Sequence, residues 1–157
     1  MLIAFDIDGT LADLTHRLHY IGGLDHLGNK MPKDWDAFHQ TCDKDKPIHE
    51  IVNLCNELIV GGNDVIFVSG RNGIVRTKTV EWLNDWIRLS SAGINARLYM
   101  RDSKDHRPDY IIKTELLVKI IKDYGQKPNI VFDDRQQVVE MWRGQGIRTC
   151  QVAPGNF

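Results

Sequence analysis

The sequence predicts an α/β fold, a parallel sheet with helices on both faces, and three observations predict it. Apolar runs of strand length recur along the chain, segments of helical periodicity separate them, and acidic residues cluster where the runs end. In sheets of this kind ligands collect beyond the carboxyl ends of the strands, so the acidic ends also mark the expected site.

The first run covers residues 2 to 6 and the second, "DVIFVS", residues 64 to 69. Between them Ile48, Ile51, Val52, Cys55, Leu58 and Ile59 recur at helical spacing, and Gly61 and Gly62 supply the stop. This is one strand-helix-strand unit. A helix is expected from Val75 to Leu89, with Trp82 and Trp86 on its core side, before the strand "ARLYM". The next helix runs from about Ile111 to Tyr124 and stops at Gly125, and "NIVFDD" follows. Val138, Val139, Met141 and Trp142 mark a last helix, again with its tryptophan in the core, before "IRTCQVA".

Two segments interrupt this repeat. Residues 12 to 46, rich in Gly, His, Lys and Asp, read as a small cap insertion within a single domain spanning residues 1 to 157. Trp35 and Phe38 lie in a short helix there, expected to pack the insertion against the core, with stacking on a nucleobase as the alternative. Residues 101 to 109, "RDSKDHRPD", are polar, and Pro108 disfavours helix just before it, so a loop at the rim of the sheet is expected.

Composition narrows the function classes. A chain of 157 residues is long enough to bury one core, and a net charge of -1 argues against a protein that coats nucleic acid indiscriminately. Any phosphate binding must come from local arginines. Cys42, Cys55 and Cys150 are too few and too widely spaced for a disulfide framework or a structural zinc site, which fits reduced thiols in a cytoplasmic protein. No stretch of about 18 apolar residues occurs, so no membrane association is expected.

"FDIDGTL", residues 5 to 11, ends the first run in two carboxylates one residue apart. If strand alternation persisted, Asp6 and Asp8 would share a side, where ionised neighbours raise each other's pKa unless a cation intervenes. An Asp-x-Asp alone says little, because strand-end aspartates often cap turns. Here it is followed by "VSGR" at 68 to 71, Lys113 early in a helix, and "FDDR" at 132 to 135, each at a strand end or helix start. In that order the four resemble the motifs of the haloacid dehalogenase (HAD) superfamily of phosphotransferases.

The resemblance implies a HAD-like, Rossmannoid sheet and a role for each motif. Asp6 would attack phosphorus to form an aspartyl-phosphate, while Asp8 would protonate the leaving oxygen and then deprotonate the attacking water. Magnesium would relieve the repulsion, held by the Asp6 carboxylate, the Asp8 carbonyl and one of Asp133 or Asp134, with the resemblance favouring Asp134. Ser69 would donate to a phosphate oxygen and Lys113 would neutralise phosphate and nucleophile.

A narrower resemblance spans nearly the whole chain. "FDIDGTLA", "VSGR", "VEWL", "RPDYIIK" from Arg107 to Lys113, and residues 133 to 157 are similar to the 3'-phosphatase domain of phage polynucleotide kinase/phosphatases. It adds Thr10, Arg17, Gly70, Arg71, Arg107 and Asp109 as substrate-binding residues, with Arg17 and Arg71 as phosphate contacts and Asp109 as an orienting partner. The implied activity is a magnesium-dependent phosphatase removing 3'-phosphates from DNA or RNA ends, in host cytoplasm if the chain is phage-encoded. A phosphatase of free nucleotides is the alternative, and a noncatalytic phosphate-binding module the third reading.

Two departures stand out. No GxxxxGK[ST] occurs, so no kinase activity is expected, and the 12 to 46 insertion is longer than the family pattern. His16, His19, His26 and His39 match no zinc spacing and are read as a solvated face.

Overall fold

The computed structural model describes residues 1–24 and 27–155. His26 lies outside the described residues. Five strands form one parallel sheet: β1 (Leu2–Phe5), β4 (Asp64–Asn72), β5 (Leu98–Arg101), β6 (Ile130–Arg135) and β7 (Arg148–Gly155). Their spatial order is β5-β4-β1-β6-β7, so β1 lies at the centre between β4 and β6. Two short strands, β2 (Ala12–Asp13) and β3 (Lys46–Pro47), pair antiparallel apart from it, with Asp13 opposite Lys46.

Both faces of the sheet are covered, which explains why its strands read as unbroken apolar runs. Ile3, Phe5, Val65 and Phe67 point to one face. There they meet Val52 and Cys55 of α3 (His49–Val60), Trp82 and Leu83 of α4 (Arg76–Trp86), and Ile94 of α5 (Ser91–Arg97). The alternate residues Leu2, Ala4, Ile66 and Val68 point the other way. They pack on Ile112, Leu116 and Ile120 of α6 (Asp109–Tyr124) and on Val138 and Trp142 of α7 (Gln136–Gly144). Among the described residues no helix is long and apolar enough to cross a membrane.

The boundaries depart from the sequence expectation where backbone bonding overrides side-chain pattern. The helix expected to reach Leu89 stops at Trp86, because Ile87 is extended. Trp86, expected in the core, is 38% exposed at that helix end, its ring edge-on to His49. Ser90 then caps α5 by accepting the Gly93 N–H, so Ala96 and Arg97 belong to that helix and β5 starts only at Leu98. β4 continues past Ser69, the end of its apolar run, because pairing with β5 resumes at Asn72 beyond a register shift.

The excursion between β1 and α3 carries α1 (His19–Gly22) and α2 (Trp35–Gln40) and returns through a 3-10 turn at Cys42–Lys44 to β3. Phe38 packs inward as expected, whereas Trp35 remains 49% exposed.

Candidate active site

Every motif singled out in the sequence lies at the carboxyl end of the sheet or on a helix facing it. β1 ends at Phe5, and the Asp6 N–H still reaches the Phe132 carbonyl at 2.9 Å. The chain then turns sharply: the amides of Thr10, Leu11 and Ala12 all point at the Ile7 carbonyl, and Gly9 takes φ 83°. Glycine is required there twice over, for that φ and because a Cβ would collide with the Asp134 carboxylate. Register shifts occur in β4 between Ser69 and Asn72 and in β6 between Asp133 and Arg135, aiming both strand ends at the same crevice.

Because the strand stops before Asp6, alternation does not carry on, and the two aspartates meet different cations. Lys113 Nζ lies 2.8 Å from Asp6 Oδ1 and 2.8 Å from Asp133 Oδ2, with all three residues buried. Burial raises the Asp6 pKa, and the Asp133 and Asp134 carboxylates add to this, against the pull of Lys113. Burial opposes the Lys113 charge too, but Asp133 and Asp6 outweigh it and hold its pKa above the usual lysine value.

Asp133 is fully engaged. Its Oδ2 accepts from Lys113 and from the Trp142 indole N–H at 3.2 Å, and its Oδ1 accepts the Arg135 N–H at 3.2 Å. Asp134 is the reverse: Oδ1 is buried with no hydrogen-bond partner among the described residues, and burial, then the Asp133 charge, push its pKa up to about 6. Carboxylate oxygens of Asp6, Asp133 and Asp134 lie within 4.8 Å of one another. Three acids around one ammonium, with an orphaned buried oxygen, are a donor set that fits a hard divalent cation.

Asp8 sits in a different setting. Its Oδ1 accepts from Arg17 Nη2 at 2.7 Å and from Arg71 Nε at 2.8 Å. Burial opposes its charge, but Arg71 and Arg17 outweigh it and hold the carboxyl at about 2. Both guanidiniums are buried and share a second, fully buried carboxylate, Asp45. Ser69 Oγ accepts the Arg71 N–H at 3.1 Å, which directs its own proton elsewhere, and Thr10 Oγ1 is buried without a partner among the described residues.

The sequence matches the polynucleotide kinase PNKP phosphatase domain over residues 1–157. The chain belongs to this family. It is 31% identical over 147 residues to a putative bifunctional polynucleotide kinase/RNA ligase of Autographa californica nuclear polyhedrosis virus, covering 92% of this chain and 18% of that protein. A chain in the structure of the Pnkp1/Rnl/Hen1 complex superposes with a TM-score of 0.76 at 29% identity, over 99% of this chain and 46% of the other. The protein therefore spans less than half the length of these two relatives. A class C acid phosphatase from Bacillus anthracis shares the fold at TM-score 0.64 and 15% identity, over 99% of this chain and 66% of that one. The HAD-like fold expected from the four motifs is borne out, and the chain is a phosphatase domain of that type.

Asp6, Lys113, Asp133 and Asp134 form one cluster and Asp8, Arg17 and Arg71 a second, with Ser69 joined to the second through the Arg71 amide, while Thr10 is buried in the turn after Asp8. Gly70 and Asp109 border them: a Cβ at Gly70 would stand 2.5 Å from Asp109 Oδ1. Asp109 orients two arginines, Arg101 and Arg135, the latter at 2.6 Å. Arg107 does not join the clusters; its guanidinium is half-exposed and spread over Asp105 and Glu115.

Of the described histidines in the excursion, His16 and His19 are exposed as expected, although His16 also bonds to Asp45 at 2.8 Å. His39 departs from that reading: it is half-buried beside Phe38, its Nδ1 without a partner among the described residues. Arg101 and Asp45 went unrecognised in the sequence. Arg101 could have been found as a charge at the end of a strand, but nothing in "DKDK" separates Asp45 from Asp43.

Proposed function

We propose that this domain is a magnesium-dependent phosphomonoesterase that removes 3'-phosphates from DNA or RNA ends through an aspartyl-phosphate. The observation that carries the reading is the acidic corner: a buried Asp6 held by Lys113 beside two further carboxylates, one with an orphaned oxygen. Membership of the phosphatase family supports it. Asp6, Asp134 and the Asp8 carbonyl would hold the metal, since Asp133 is already taken by Lys113, Trp142 and the Arg135 amide. Magnesium would neutralise negative charge on the phosphate and on the corner.

The chain's own residues divide the remaining work. Lys113 fixes Asp6 Oδ1, and the other Asp6 oxygen attacks phosphorus as the bond to the sugar 3' oxygen breaks. Ser69, the Thr10 hydroxyl and the Gly70 backbone contact the phosphate oxygens, with Arg17 and Arg71. A phosphate dianion beside those arginines takes part of their hydrogen bonding, which raises the proton affinity of Asp8 so that it takes up a proton from solvent as the ester binds. Asp8 then protonates the departing oxygen, later removes a proton from water, and that water releases phosphate from Asp6. The excursion at 12 to 46 acts as the cap, and Arg107 at the rim meets the next stretch of strand.

The test compares kcat/KM for a 3'-phosphorylated oligonucleotide and the matching 3'-mononucleotide across a salt series at saturating magnesium. The oligonucleotide is expected to be preferred, with the steeper salt dependence, because strand binding releases counterions. Arg107→Ala should narrow the gap. Equal or better use of the mononucleotide, with no steeper salt dependence for the oligonucleotide, would transfer the assignment to a phosphatase of free nucleotides.

A further inference from the structure

The two large aromatic side chains of α2 face different surroundings. Phe38 is buried: the Arg17 guanidinium lies over its ring, 4.2 Å from the centroid, and its carbonyl accepts from Arg17 Nη1 at 3.2 Å. Trp35 stands edge-on to Phe38 with 5.7 Å between ring centroids and remains half-exposed. A single ring therefore separates an exposed indole from a guanidinium that the proposed reaction places on the phosphate. His39, four residues after Trp35 and so on the same side of the helix, lies against the indole with 6.2 Å between centroids and 28° between ring planes. Burial lowers the His39 pKa, and Asp8, Arg17, Arg101 and Arg71 all act on the charge of its ring, which is neutral at pH 7. Trp35 and His39 thus form a row of rings from solvent to the Asp8 cluster.

The helix that carries the row is held at both ends. Asp34 caps it by accepting the Ala37 N–H at 2.9 Å, the Asp34 N–H reaches the Tyr20 carbonyl of α1 at 2.8 Å, and Lys78 Nζ of α4 donates to the Gln40 carbonyl at 2.6 Å. Beside Trp35 opens a groove of about 870 Å³, whose walls include Tyr20, Leu24, Met31, Pro32 and Lys33. Leu24 and Met31 are exposed, so together with the indole they leave an apolar surface facing water. Lys33 is exposed as well, its Nζ 5.5 Å from the indole centroid.

We propose that Trp35 is a stacking site for the terminal nucleobase of a 3'-phosphorylated strand. The proposal rests on the phosphatase reading and extends it from the phosphate to the base. The groups stand in the order in which a strand end presents its own: guanidiniums for the terminal phosphate, an aromatic face one ring away for the base joined to it through a single sugar, and a lysine for the next phosphate. Phe38 cannot take this role, because Arg17 already lies over its ring. The exposed Lys33 ammonium yields the indole to the base and turns to the strand, where it displaces a counterion. Every base has a π-face, so the site favours a base over none and not one base over another.

The experiment measures dissociation constants in Asp6→Asn with magnesium, so that no ester is turned over. The probes are a 3'-phosphorylated oligonucleotide and the same strand with its terminal base removed but its sugar and phosphate kept. The base should tighten binding by about 5- to 150-fold, the range for one base stacked on an aromatic side chain. Adding Trp35→Ala should erase that advantage by weakening the complete strand alone, and Trp35→Phe should keep part of it. Equal affinity for the two strands or an undiminished advantage in Trp35→Ala would overturn the proposal. Equal losses on both strands, the mark of a displaced Phe38 and Arg17, would overturn it too. Phosphate release by the parent is followed on the same strands: a parent that releases none rejects the phosphatase reading, and the affinities still decide the base site.

Discussion

The two halves of the site solve the burial of charge in opposite ways. Around Asp8, two arginines face two aspartates, and the charges balance within the protein. Around Asp6, three aspartates share one lysine, and the cluster is left about two negative charges in excess. The pKa directions follow: Asp8 is held at about 2, while Asp6 and Asp134 are raised, the latter to about 6. The difference teaches that one half is balanced as folded, while the other carries the excess negative charge that the proposed magnesium would neutralise.

The sharpest way to break the contrast is to remove the nucleophile. Asp6→Asn should lower turnover by at least about 1000-fold, since an amide cannot form the covalent intermediate. The same change relieves the acidic crowding, so thermal unfolding of the metal-free variant should occur at a higher temperature than for the parent. Steady-state kinetics and a melting curve check both; activity within about tenfold of the parent would reject Asp6 as nucleophile.

Adding the proposed ion is the next largest effect. Magnesium at about 100 times its dissociation constant should stabilise the parent by about 2.7 kcal/mol. The gain should be reduced in Asp134→Asn, and exhaustive chelation should abolish activity. Calorimetry with and without magnesium measures this, and an unchanged unfolding temperature would count against the metal site.

Acid separates the halves most finely. The folded pKa of Asp134 lies above its unfolded value of about 4, so its contribution is fully present below pH 4 and is lost as pH rises through about 6. The folded pKa of Asp8 lies below its unfolded value, so its contribution is present above pH 4 and is lost as pH falls toward 2. Each is worth about 2 to 3 kcal/mol. The metal-free protein should therefore be most stable near about pH 4, and magnesium should move that maximum upward. A denaturant series at several pH values checks it; a metal-free maximum at neutral pH would show that the acidic corner is not strained.

Much of this was legible in the sequence because it is local. The strand ends at "FDIDGT", "VSGR" and "FDDR" carry their chemistry within a few residues, and α6 places Asp109 and Lys113 one turn apart on one face. The arginine clamp was not legible, because Asp45 lies 28 residues from Arg17 and 26 from Arg71 and looks like any other acid in a charged stretch. The end of α4 and the onset of β5 were misplaced because Trp86 and Ala96 fit an apolar pattern that backbone hydrogen bonds cut short. Asp6 and Asp8 share a face only if strand alternation persists, and the turn onto the Ile7 carbonyl, which the sequence does not reveal, shows that the strand has already ended.

Each half also ends on a buried indole. Trp82 donates to the Asp45 carbonyl with the Arg71 guanidinium 5.9 Å from its ring, and Trp142 donates to Asp133 in the acidic corner. Indole emission responds to nearby charge and to the N–H bond, so the domain carries two intrinsic fluorophores, one beside the proposed phosphate contacts and one beside the proposed metal ligands. Single-tryptophan variants would let the order in which ion and ester arrive be followed in real time, with no label added.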